Sequence, residues 1–501
     1  MGGVVVAFEG HGPVEPRVAL ADARVLVVGL GVTGRAVAGA LRGPDGRGAL
    51  VRSVVTLAPS DDADVRTPSS DADRAAVLAQ ADVVVTSPGV KPVDPLLVAA
   101  RAAGVPVWSE VELAWRLRVD RAAGDGPAPW LAVTGTNGKT TTVEMLASIL
   151  TAAGLRTRAV GNVGTPLIEA ALDPDLDVLA VELSSFQLHF AHTTALRAAA
   201  VLNIADDHLD WHGSAQAYAA DKGRIFERAQ VACVYNVADA RTEKLVREAD
   251  VAEGARAVGF TLGAPGPGTL GLVEDVLVDR AFHAPADAVD RLTYAAELGT
   301  LDDLAHLAPG ADTPAPPHVV ANALAAAALA RAHGVPAAAV RDGLRAFRPG
   351  GHRIQQVGAR DGVAFVDDSK ATNAHAASAS LAGFAAGSVV WVAGGLAKGA
   401  RFDDLVAARA DRLRAAVVIG VDPEPFTTAL ARHAPEIPVV VVDPGETDTV
   451  MRRAVDAARS LAQPGDTVLL APAGASQDQF RSYAQRGEAF AAAVEAITRD
   501  A

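Results

Sequence analysis

Short apolar runs alternate with longer amphipathic stretches along nearly the whole chain. Runs of this kind are typical of strands buried on both faces, and the stretches between them are long enough for helices. Strands that alternate with helices indicate a mainly parallel sheet covered on both sides, so the chain is expected to be α/β. The predicted strands are residues 24–28, 54–57, 83–86, 105–108, 131–133, 178–181, 199–203, 231–236, 363–367, 389–392, 416–419, 439–442 and 468–470, and the clearest helices are 318–332 and 448–461.

Two breaks rich in Gly and Pro divide this pattern into three parts. Residues 120–129 (DRAAGDGPAP) combine Gly, Pro and charge, and residues 348–351 (RPGG) end a helical stretch. We therefore predict three domains, at 1–128, 129–348 and 349–501, with 1–22 as a loose extension of the first. Between 280 and 317 the pattern loses its regular spacing, which predicts an insertion or a long surface excursion.

Composition narrows the class of protein. Half of the 501 residues are hydrophobic and 21% are charged, which favours large cores over disorder. A formal net charge of −14 disfavours a nucleic-acid partner, and the single cysteine, Cys233, excludes an intrachain disulfide or a four-cysteine zinc site. The N-terminus lacks a signal-peptide pattern, and no apolar run approaches the roughly 20 residues of a membrane span. We expect a cytoplasmic monomer with no membrane partner.

The stretch LAVTGTNGKTTT, residues 131–142, carries the strongest chemical signal in the chain. An apolar strand leads into the loop 135–138, and Lys139 with three threonines then opens a helix. Glycines let backbone N–H groups close on phosphate oxygens, and the helix N-terminus adds partial positive charge. The lysine can reach the outer phosphates, and Thr140 can hold Mg2+. Val133 stands where the strict pattern G-x-x-x-x-G-K-[ST] has its first glycine, so a plain strand-to-helix turn is the alternative.

Gly29, Gly31 and Gly34 follow the first strand in the pattern G-x-G-x-x-G, which is a weak signal by itself. A dinucleotide-binding fold also carries an acidic residue about 20 positions further on, at the end of the second strand. That strand ends in Leu57-Ala58 without a carboxylate, so NAD and a dehydrogenase function are disfavoured. Two interpretations stay open: a pyrophosphate site for a UDP-sugar, and a glycine turn that serves only helix–strand packing.

Polar residues follow two predicted strands of the second part. Glu182 comes directly after 178–181, and an acidic cluster around His208 (residues 206–210, DDHLD) follows 199–203. Ligands bind at the carboxyl ends of strands in α/β sheets, so both residues are candidates for a magnesium site. The alternatives are that Ser184 and its neighbour cap the next helix, and that the histidine is structural. The spacing of Lys222 alone predicts only a lysine on a helix surface.

Three strand ends of the third part offer charged and polar groups. The first is the turn 367–373 (DDSKATN), the second is Lys398 after Gly394-Gly395, and the third is the segment 476–480 (SQDQF). Together they are suited to a zwitterion that carries an extra carboxylate. Three solvated loops are the alternative for each segment taken singly.

These motifs together resemble the Mur ligases, which make the peptide stem of peptidoglycan by ATP-dependent amide formation. GTNGKTT, ELSSFQL, DDHLD, DDSKATN and SQDQFRSYAQRG occur in the order of that family, and the resemblance spans about residues 24–488. It implies a Rossmann-like N-terminal domain, a central P-loop-type ATPase domain and a C-terminal Rossmann-like α/β domain. DSKATN and S-x-D-Q-F resemble the members that use UDP-N-acetylmuramoyl-L-alanine and D-glutamate, with ATP and Mg2+.

The resemblance also implies roles for the matched positions. Catalytic positions are matched by Lys139, His208, Lys222 and Lys370. ATP-binding positions are matched by Gly135, Thr136, Asn137, Gly138, Lys139, Thr140, Thr141, Asn322, Arg353 and Asp368. Substrate positions are matched by Gly31, Thr33, Gly34, Asn162, Ser184, Thr372, Lys398, Ser476 and Phe480. Magnesium is expected on Thr140, Glu182, His208 and Lys222, the last as a carbamylated lysine.

One departure and two rivals qualify this prediction. Residues 57–62 (LAPSDD) lack the cluster that the family often places near uracil, so no uridine contact is carried over. A folate-polyglutamate type of ligase shares the phosphate loop, but DSKATN argues against it. A non-catalytic nucleotide switch would leave the amino-acid pocket without a purpose.

Because ATP and amino-acid positions lie in different parts of the chain, we expect the third domain to close over the second.

Overall fold

The computed structural model describes residues 18–43, 50–124, 126–162, 164–284, 288, 292–308 and 314–499. Three β-sheets follow one another along the chain, of five, nine and six strands. Each sheet carries helices on its faces, and the α/β class predicted from the alternating pattern is confirmed. The predicted extension falls mostly on residues 1–17, which lie outside the described part. Leu20–Asp22 form one turn of 3-10 helix before the first strand.

The first sheet is wholly parallel, with strand order β3-β2-β1-β4-β5. Four of its strands were predicted as apolar runs. The fifth, β3, is a pair of residues at the edge. The strands are β1 (Arg24–Val28), β2 (Ser53–Ala58), β3 (Val65–Arg66), β4 (Val83–Thr86) and β5 (Val107–Ser109), and the helices are α1 (Val32–Arg42), α2 (Asp71–Leu78), α3 (Pro95–Ala102) and α4 (Glu110–Leu117).

The central sheet has the order β14-β13-β12-β11-β10-β9-β6-β8-β7, and only β12–β13 and β13–β14 pair antiparallel. Its strands are β6 (Trp130–Thr134), β7 (Thr157–Gly161), β8 (Val178–Glu182), β9 (Ala198–Val201), β10 (Ala232–Asn236), β11 (Arg256–Phe260), β12 (Thr269–Val273), β13 (Val276–Asp279) and β14 (Ala296–Thr300). Its helices are α5 (Lys139–Ala152), α6 (Leu167–Ala171), α7 (Ser185–His189), α8 (Leu209–His212), α9 (Ala215–Gly223), α10 (Ala240–Glu248), α11 (Pro317–Ala332) and α12 (Ala337–Ala346).

The predicted surface excursion at 280–317 is wrong for its middle part. Strand β14 pairs with β13, and the 3-10 helix Leu301–Leu307 follows it directly. Leu298 and Leu304 are fully buried in the central core. The sequence pattern did not indicate this strand, because β14 lies at the sheet edge and buries only two adjacent residues. Residues 285–287, 289–291 and 309–313 of the same prediction lie outside the described part.

The third sheet has the order β15-β16-β20-β17-β18-β19, with β15 antiparallel at one edge. The strands are β15 (Gln355–Arg360), β16 (Val363–Asp367), β17 (Val389–Gly394), β18 (Leu413–Ile419), β19 (Val439–Val441) and β20 (Thr467–Ala473). The helices are α13 (Ala374–Leu381), α14 (Asp403–Arg409), α15 (Glu424–His433), α16 (Thr447–Leu461) and α17 (Tyr483–Arg499). None of the described helices is both long and apolar enough to cross a membrane.

The central sheet buries both faces, as its apolar strands require. Along β6, Leu131 and Val133 point into one core, while Trp130 and Ala132 point into the other. The second of these cores is continuous with residues of the first sheet, including Val25 and others of β1 and β4. The core clusters of the third sheet contain only residues from that part of the chain. Among the described residues, the first two sheets therefore share an apolar core, and the third sheet has cores of its own.

Buried carboxylates on α4 fasten the first sheet to the central one. Glu110 Oε1 accepts a hydrogen bond from Ile168 N at the start of α6, over 3.1 Å. Glu112 Oε2 accepts from the backbone N–H groups of His192 and Thr193, over 2.7 and 2.8 Å. Burial raises the pKa of Glu110 to about 7. The junction between the two sheets thus contains an acid that titrates near neutral pH.

Candidate active site

The loop between β6 and α5 has the shape of a phosphate cradle. Gly138, at φ +83°, precedes Lys139, the first residue of α5. A Cβ on Gly138 would lie 2.5 Å from Asn322 Oδ1, so only glycine lets the loop approach α11 this closely. The predicted adenine contact and the predicted phosphate loop therefore touch at this point. The backbone N–H groups at the start of α5 form a site suited to an anion.

Lys139 folds back over its own loop. Its Nζ donates to Gly135 O over 2.8 Å and to Thr136 O over 2.9 Å. Burial lowers the pKa of Lys139, and the nearby carboxylates of Glu182 and Asp207 oppose that shift. The ammonium group thus lies among the groups predicted for the metal site.

Glu182 ends β8 and is 2% exposed. Its Oε1 accepts a hydrogen bond from Asn162 Nδ2 over 2.8 Å, so two residues predicted separately for the site are in contact. Its Oε2 is buried and has no hydrogen-bond partner among the described residues. A buried carboxylate oxygen without a partner is costly, and a cation would satisfy it.

His208 caps the N-terminus of α8 in a left-handed backbone conformation, with φ 52°. Its ring packs edge-on against Phe186, with centroids 4.8 Å apart. Burial lowers the pKa of His208; Asp207 opposes this shift, and the charges of Lys398, Lys222 and Lys139 reinforce it. The charge of Lys398, from the third sheet, therefore reaches this histidine. Asp207 also lies near the proposed site, although the sequence predicted no individual role for it.

Lys222 lies in α9 and is buried rather than on a helix surface. Its Nζ donates to Gly135 O over 2.9 Å, and Lys222 is 2% exposed. Burial lowers the pKa of Lys222 well below its ordinary value, and the charge of Lys139 lowers it further. A lowered pKa favours the neutral, nucleophilic amine, which is the form that condenses with CO2. The local spacing carried no sign of this burial.

The donor set suits a hard cation if Lys222 carries a carboxylate. In the described part of the chain, no group of three or more His, Cys, Asp and Glu side chains is arranged to hold a metal ion. Glu182 and His208 supply two side chains of these types, and Thr140 adds a buried hydroxyl in the first turn of α5. A carbamate on Lys222 would supply the missing anionic oxygen. Oxygen-rich sets of this kind favour Mg2+.

A pocket between the central and third sheets joins the predicted ATP-binding residues. Thr136–Thr141, Asn322, Arg353 and Asp368 all line it, as do Glu182, Lys370 and Thr372. Arg353 Nη1 donates to Thr141 Oγ1 over 2.6 Å. Asp368 accepts a hydrogen bond from Ser380 Oγ, and burial raises the pKa of Asp368 to about 7. The pocket also contains His318 and His375, which the sequence argument did not assign.

Asn137 links the phosphate loop to the turn DDSKATN. Its Nδ2 donates to His375 Nδ1 over 2.9 Å, and its Oδ1 accepts from Asn373 Nδ2 over 3.1 Å. Asn373 also caps α13, whose first turn contains His375. The two loops predicted for ATP and for the amino acid are therefore hydrogen-bonded to each other.

The predicted amino-acid positions differ in how they are placed. Lys370 Nζ donates to Tyr483 Oη over 3.0 Å, and the buried Ser476 Oγ has no partner among the described side chains and backbone. Phe480, in contrast, packs into the core beside Phe365 and its neighbours. Its substrate role stays a prediction. Tyr483 lies in the quoted motif SQDQFRSYAQRG, but its contact with Lys370 required the folded chain.

Arg486 is hydrogen-bonded to the turn DDSKATN. This fully buried guanidinium donates to Ser369 Oγ over 3.0 Å, to Ser369 O over 2.9 Å and to Gly474 O over 3.1 Å. It therefore ties the turn after β16 to the loop after β20. Burial lowers the pKa of Arg486 to about 10. The motif contained this residue, yet nothing in its spacing distinguished it from a surface arginine.

The N-terminal glycine motif and Ser184 show mainly structural contacts. A Cβ on Gly34 would lie 1.9 Å from Gly29 O, so the third glycine is required for α1 to pack on β1. Gly31 caps α1, and Thr33 is half-buried in its first turn. Ser184 forms a capping box with Gln187 at the start of α7. The substrate roles assigned to these four positions remain predictions.

Comparison with known proteins agrees with this arrangement. A family model of the Mur ligase middle domain matches residues 133–268, and one of the Mur ligase, glutamate ligase domain matches residues 352–474. The UDP-N-acetylmuramoylalanine--D-glutamate ligase of Streptomyces coelicolor is 58% identical over 482 residues, which cover 94% of this chain and 97% of that protein. The enzyme of the same name from Mycolicibacterium vanbaalenii is 47% identical over 520 residues, covering 97% and 100%.

Solved structures show the same fold at much lower identity. The UDP-N-acetylmuramate-alanine ligase of Thermotoga maritima superposes with a TM-score of 0.54 at 18% identity, covering 96% of this chain and 100% of that chain. The pseudomurein peptide ligase type C of Methanothermus fervidus gives 0.54 at 17% identity, covering 90% and 96%. The chain belongs to the Mur ligase family, and its three-domain α/β architecture is that of the family.

Proposed function

We propose that this chain is the ATP-dependent ligase that adds D-glutamate to UDP-N-acetylmuramoyl-L-alanine. The reaction belongs to peptidoglycan precursor synthesis, and we place it in the cytoplasm. The observation that carries this proposal is the match, at 58% identity over nearly the full length of both chains, to a relative with that name. The contact between the phosphate loop and the turn DDSKATN supports it, because it brings the two halves of a ligase reaction together.

The first half-reaction joins phosphate to the acceptor. The alanyl carboxylate of the UDP-linked substrate attacks the γ-phosphorus of ATP, the bond to the β-phosphate oxygen breaks, and an acyl phosphate and ADP result. Lys139 and the N–H groups of the loop 135–138 stabilise the negative charge that spreads over the transferred phosphoryl group. Arg353 lies within reach of the same phosphates, because its guanidinium already bonds to Thr141 in the first turn of α5.

Glu182, His208, Lys222 and Thr140 are the residues that would hold Mg2+. The orphaned Oε2 of Glu182 and the lowered pKa of Lys222 support this assignment, since a cation would satisfy the first and the second favours carbamylation. Bound Mg2+ would neutralise phosphate charge and orient the γ-phosphoryl group. Asn162 keeps the Glu182 carboxylate oriented through its hydrogen bond to Oε1.

The second half-reaction forms the amide bond. The neutral amine of D-glutamate attacks the acyl carbon, and a tetrahedral intermediate forms. Its nitrogen loses a proton to solvent or to the phosphate, and the C–O bond to inorganic phosphate breaks as the carbonyl is restored. Lys370 and Lys398 pair with the glutamate carboxylates, and Ser476 and Thr372 donate hydrogen bonds to them. These groups orient the amine more than they activate it, and orientation alone can lower a barrier by several kcal/mol.

The remaining parts of the proposal concern the UDP end of the substrate and the domain limits. We assign the pyrophosphate to the start of α1, at Gly31, Thr33 and Gly34, where backbone N–H groups face the carboxyl edge of the first sheet. We keep the domain limits 1–128, 129–348 and 349–501, which fall between the last strand of one sheet and the first strand of the next. We also keep a monomer as the working state.

A phosphate-release assay tests the proposed function. The protein is incubated with ATP, Mg2+, bicarbonate and UDP-N-acetylmuramoyl-L-alanine, and either D- or L-glutamate is added. Phosphate release and a new UDP-linked product are expected with D-glutamate and not with L-glutamate. Omission of the acceptor gives the background of ATP hydrolysis. No release above that background with the D-isomer would refute the assignment.

A further inference from the structure

His212 forms a buried link between three segments of the central domain. It is the last residue of α8, and its side chain is 0% exposed. Its Nδ1 lies 2.7 Å from Asp221 Oδ2, and its Nε2 lies 3.0 Å from Ser185 Oγ. His189 adds a second imidazole to the same carboxylate, with Nδ1 2.9 Å from each oxygen of Asp221. None of these four side chains has a place in the chemistry described above.

Each partner of His212 stands next to a residue of the proposed metal site. Ser185 begins α7, three residues after Glu182, at the end of the same strand-to-helix connection. Asp221 directly precedes Lys222 in α9. His212 itself closes the short helix that His208 opens. The imidazole of His212, on the segment that carries His208, therefore bonds to the segments that carry Glu182 and Lys222.

The hydrogen bonds define how the ring is held. A carboxylate only accepts, so Asp221 receives the Nδ1–H of His212 and that of His189. Nε2 of a neutral ring is then free to accept from the Ser185 hydroxyl. The order Ser–His–Asp resembles that of a hydrolase triad, but Ser185 is 2% exposed and its hydroxyl is covered. The arrangement therefore orients segments rather than attacking a substrate.

Aromatic side chains pack against the ring of His212. Phe186 stacks on His212 with centroids 5.5 Å apart and planes 11° apart, and it also contacts His208. Tyr218 lies edge-on to His212 at 5.2 Å, and its hydroxyl hydrogen-bonds with Thr136 Oγ1 over 3.1 Å. The ring is thus connected, through one further residue, to the phosphate loop as well.

We propose that His212 is a positioning residue that holds Glu182, His208 and Lys222 in a fixed relation for metal binding. The proposal rests on the magnesium site of the proposed function. Glu182 ends β8, whereas His208 and Lys222 both lie between β9 and β10, at the start of α8 and in α9. The helices α7 and α8 beside Glu182 and His208 are only five and four residues long. Outer partners that orient metal ligands commonly account for 10- to 100-fold in metal affinity.

Mn2+ binding followed by electron paramagnetic resonance, in the presence of ADP, tests this role without turnover. His212→Asn retains a donor toward Asp221 and loses the bond to Ser185, whereas His212→Gln reaches toward Ser185 and loses the bond to Asp221. Ser185→Ala is a milder variant that removes only one bond. His433→Gln is the matched control, because His433 also pairs with an aspartate, Asp403, but on the third sheet.

We expect both His212 variants to weaken Mn2+ binding by about 10- to 100-fold, and Ser185→Ala by less. Excess Mg2+ should restore much of kcat in these variants, which a fold merely loosened by the substitution would not show. The control should bind Mn2+ like the parent protein. Unchanged Mn2+ affinity in the His212 variants, or in Ser185→Ala if those do not fold, would overturn the positioning role. Absence of Mn2+ binding by the parent protein would instead refute the metal site itself.

Discussion

Arg353 donates a hydrogen bond from Nη1 to Thr141 Oγ1 over 2.6 Å, across the boundary between the central and third sheets. Thr141 belongs to the first turn of α5, directly beside the phosphate loop. Arg353 follows the Gly-Gly break at 350–351 that ends the central part of the chain. Arg353, near the start of the third domain, is therefore in direct contact with the helix that follows the phosphate loop.

Substitution of either partner should weaken the use of ATP. We expect Arg353→Ala to lower kcat/KM for ATP by about 10- to 100-fold, because a hydrogen bond to a charged group contributes about 1.5–3 kcal/mol. Thr141→Val should have a smaller effect, since the guanidinium remains. Steady-state kinetics of the two single variants and the double variant measure the coupling. Fully additive effects would show that the bond plays no part in ATP use.

Gly138 offers a test of the close approach between the phosphate loop and α11. Gly138→Ala should abolish ADP binding in calorimetry, since its Cβ would meet Asn322 Oδ1 at 2.5 Å. Gly154→Ala is the control, because Gly154 has nearly the same φ, +80°, and its Cβ would meet nothing within 4 Å. Both variants bear the backbone strain of about 1–2 kcal/mol, so only the first should lose the nucleotide. Equal ADP affinity in the two variants would contradict this account of the loop.

Lys222 should be essential for turnover and not for folding. We expect Lys222→Ala to lower kcat by at least about 100-fold, because the variant cannot provide a carbamate for the metal. Removal of CO2 and bicarbonate should lower the activity of the parent protein and leave that of the variant unchanged. Lys244→Ala, on the exposed face of α10, is the control. A turnover number near that of the parent would exclude Lys222 from the site.

The stability of the junction between the first two sheets should depend on pH through Glu110. Its pKa is raised by burial from the ordinary 4.5 to about 7, so the folded state binds more protons than the unfolded state between these values. The stabilisation is complete below about pH 4.5 and is lost as the pH rises through 7, a change of about 3 kcal/mol.

Chemical denaturation between pH 5 and 8 measures this effect. Glu110→Gln keeps an acceptor for Ile168 N and removes the titration, so its free energy of unfolding should fall less over that range. Glu253→Gln, at an exposed position, should keep the slope of the parent protein. An unchanged slope in Glu110→Gln would show that another group titrates at the junction.

Most parallel strands were predictable because burial on both faces demands unbroken apolar runs, as in β4 and β8. The sequence pattern missed β7, β11, β12 and β13, each of which includes partly or fully exposed residues. It also missed the edge strands β3, β14 and β15, since each leaves most of its residues partly or fully exposed and so resembles a loop. The phosphate loop and Glu182 were found because their residues are adjacent to a strand end in the sequence. Contacts such as Asn137–His375 and Lys370–Tyr483 join residues more than 100 positions apart, so no local pattern contains them.

The burial of Lys222 also could not be predicted from the local sequence. In sequence it is one polar residue in a helix of mixed character, whereas in the fold α9 turns this face toward the carbonyl of Gly135. The resemblance to a family predicts its role, and the fold adds that burial lowers the pKa of this lysine.

The apolar core that runs through the first two sheets and stops before the third has a mechanical consequence. The phosphate loop and the start of α1, where we propose that the acceptor binds, therefore belong to one packed block. The third sheet meets that block through polar contacts such as Arg353 with Thr141, and water can replace these one for one. We therefore expect that opening of the third domain would break mainly polar contacts, and that binding of the ligands would supply the free energy of closure.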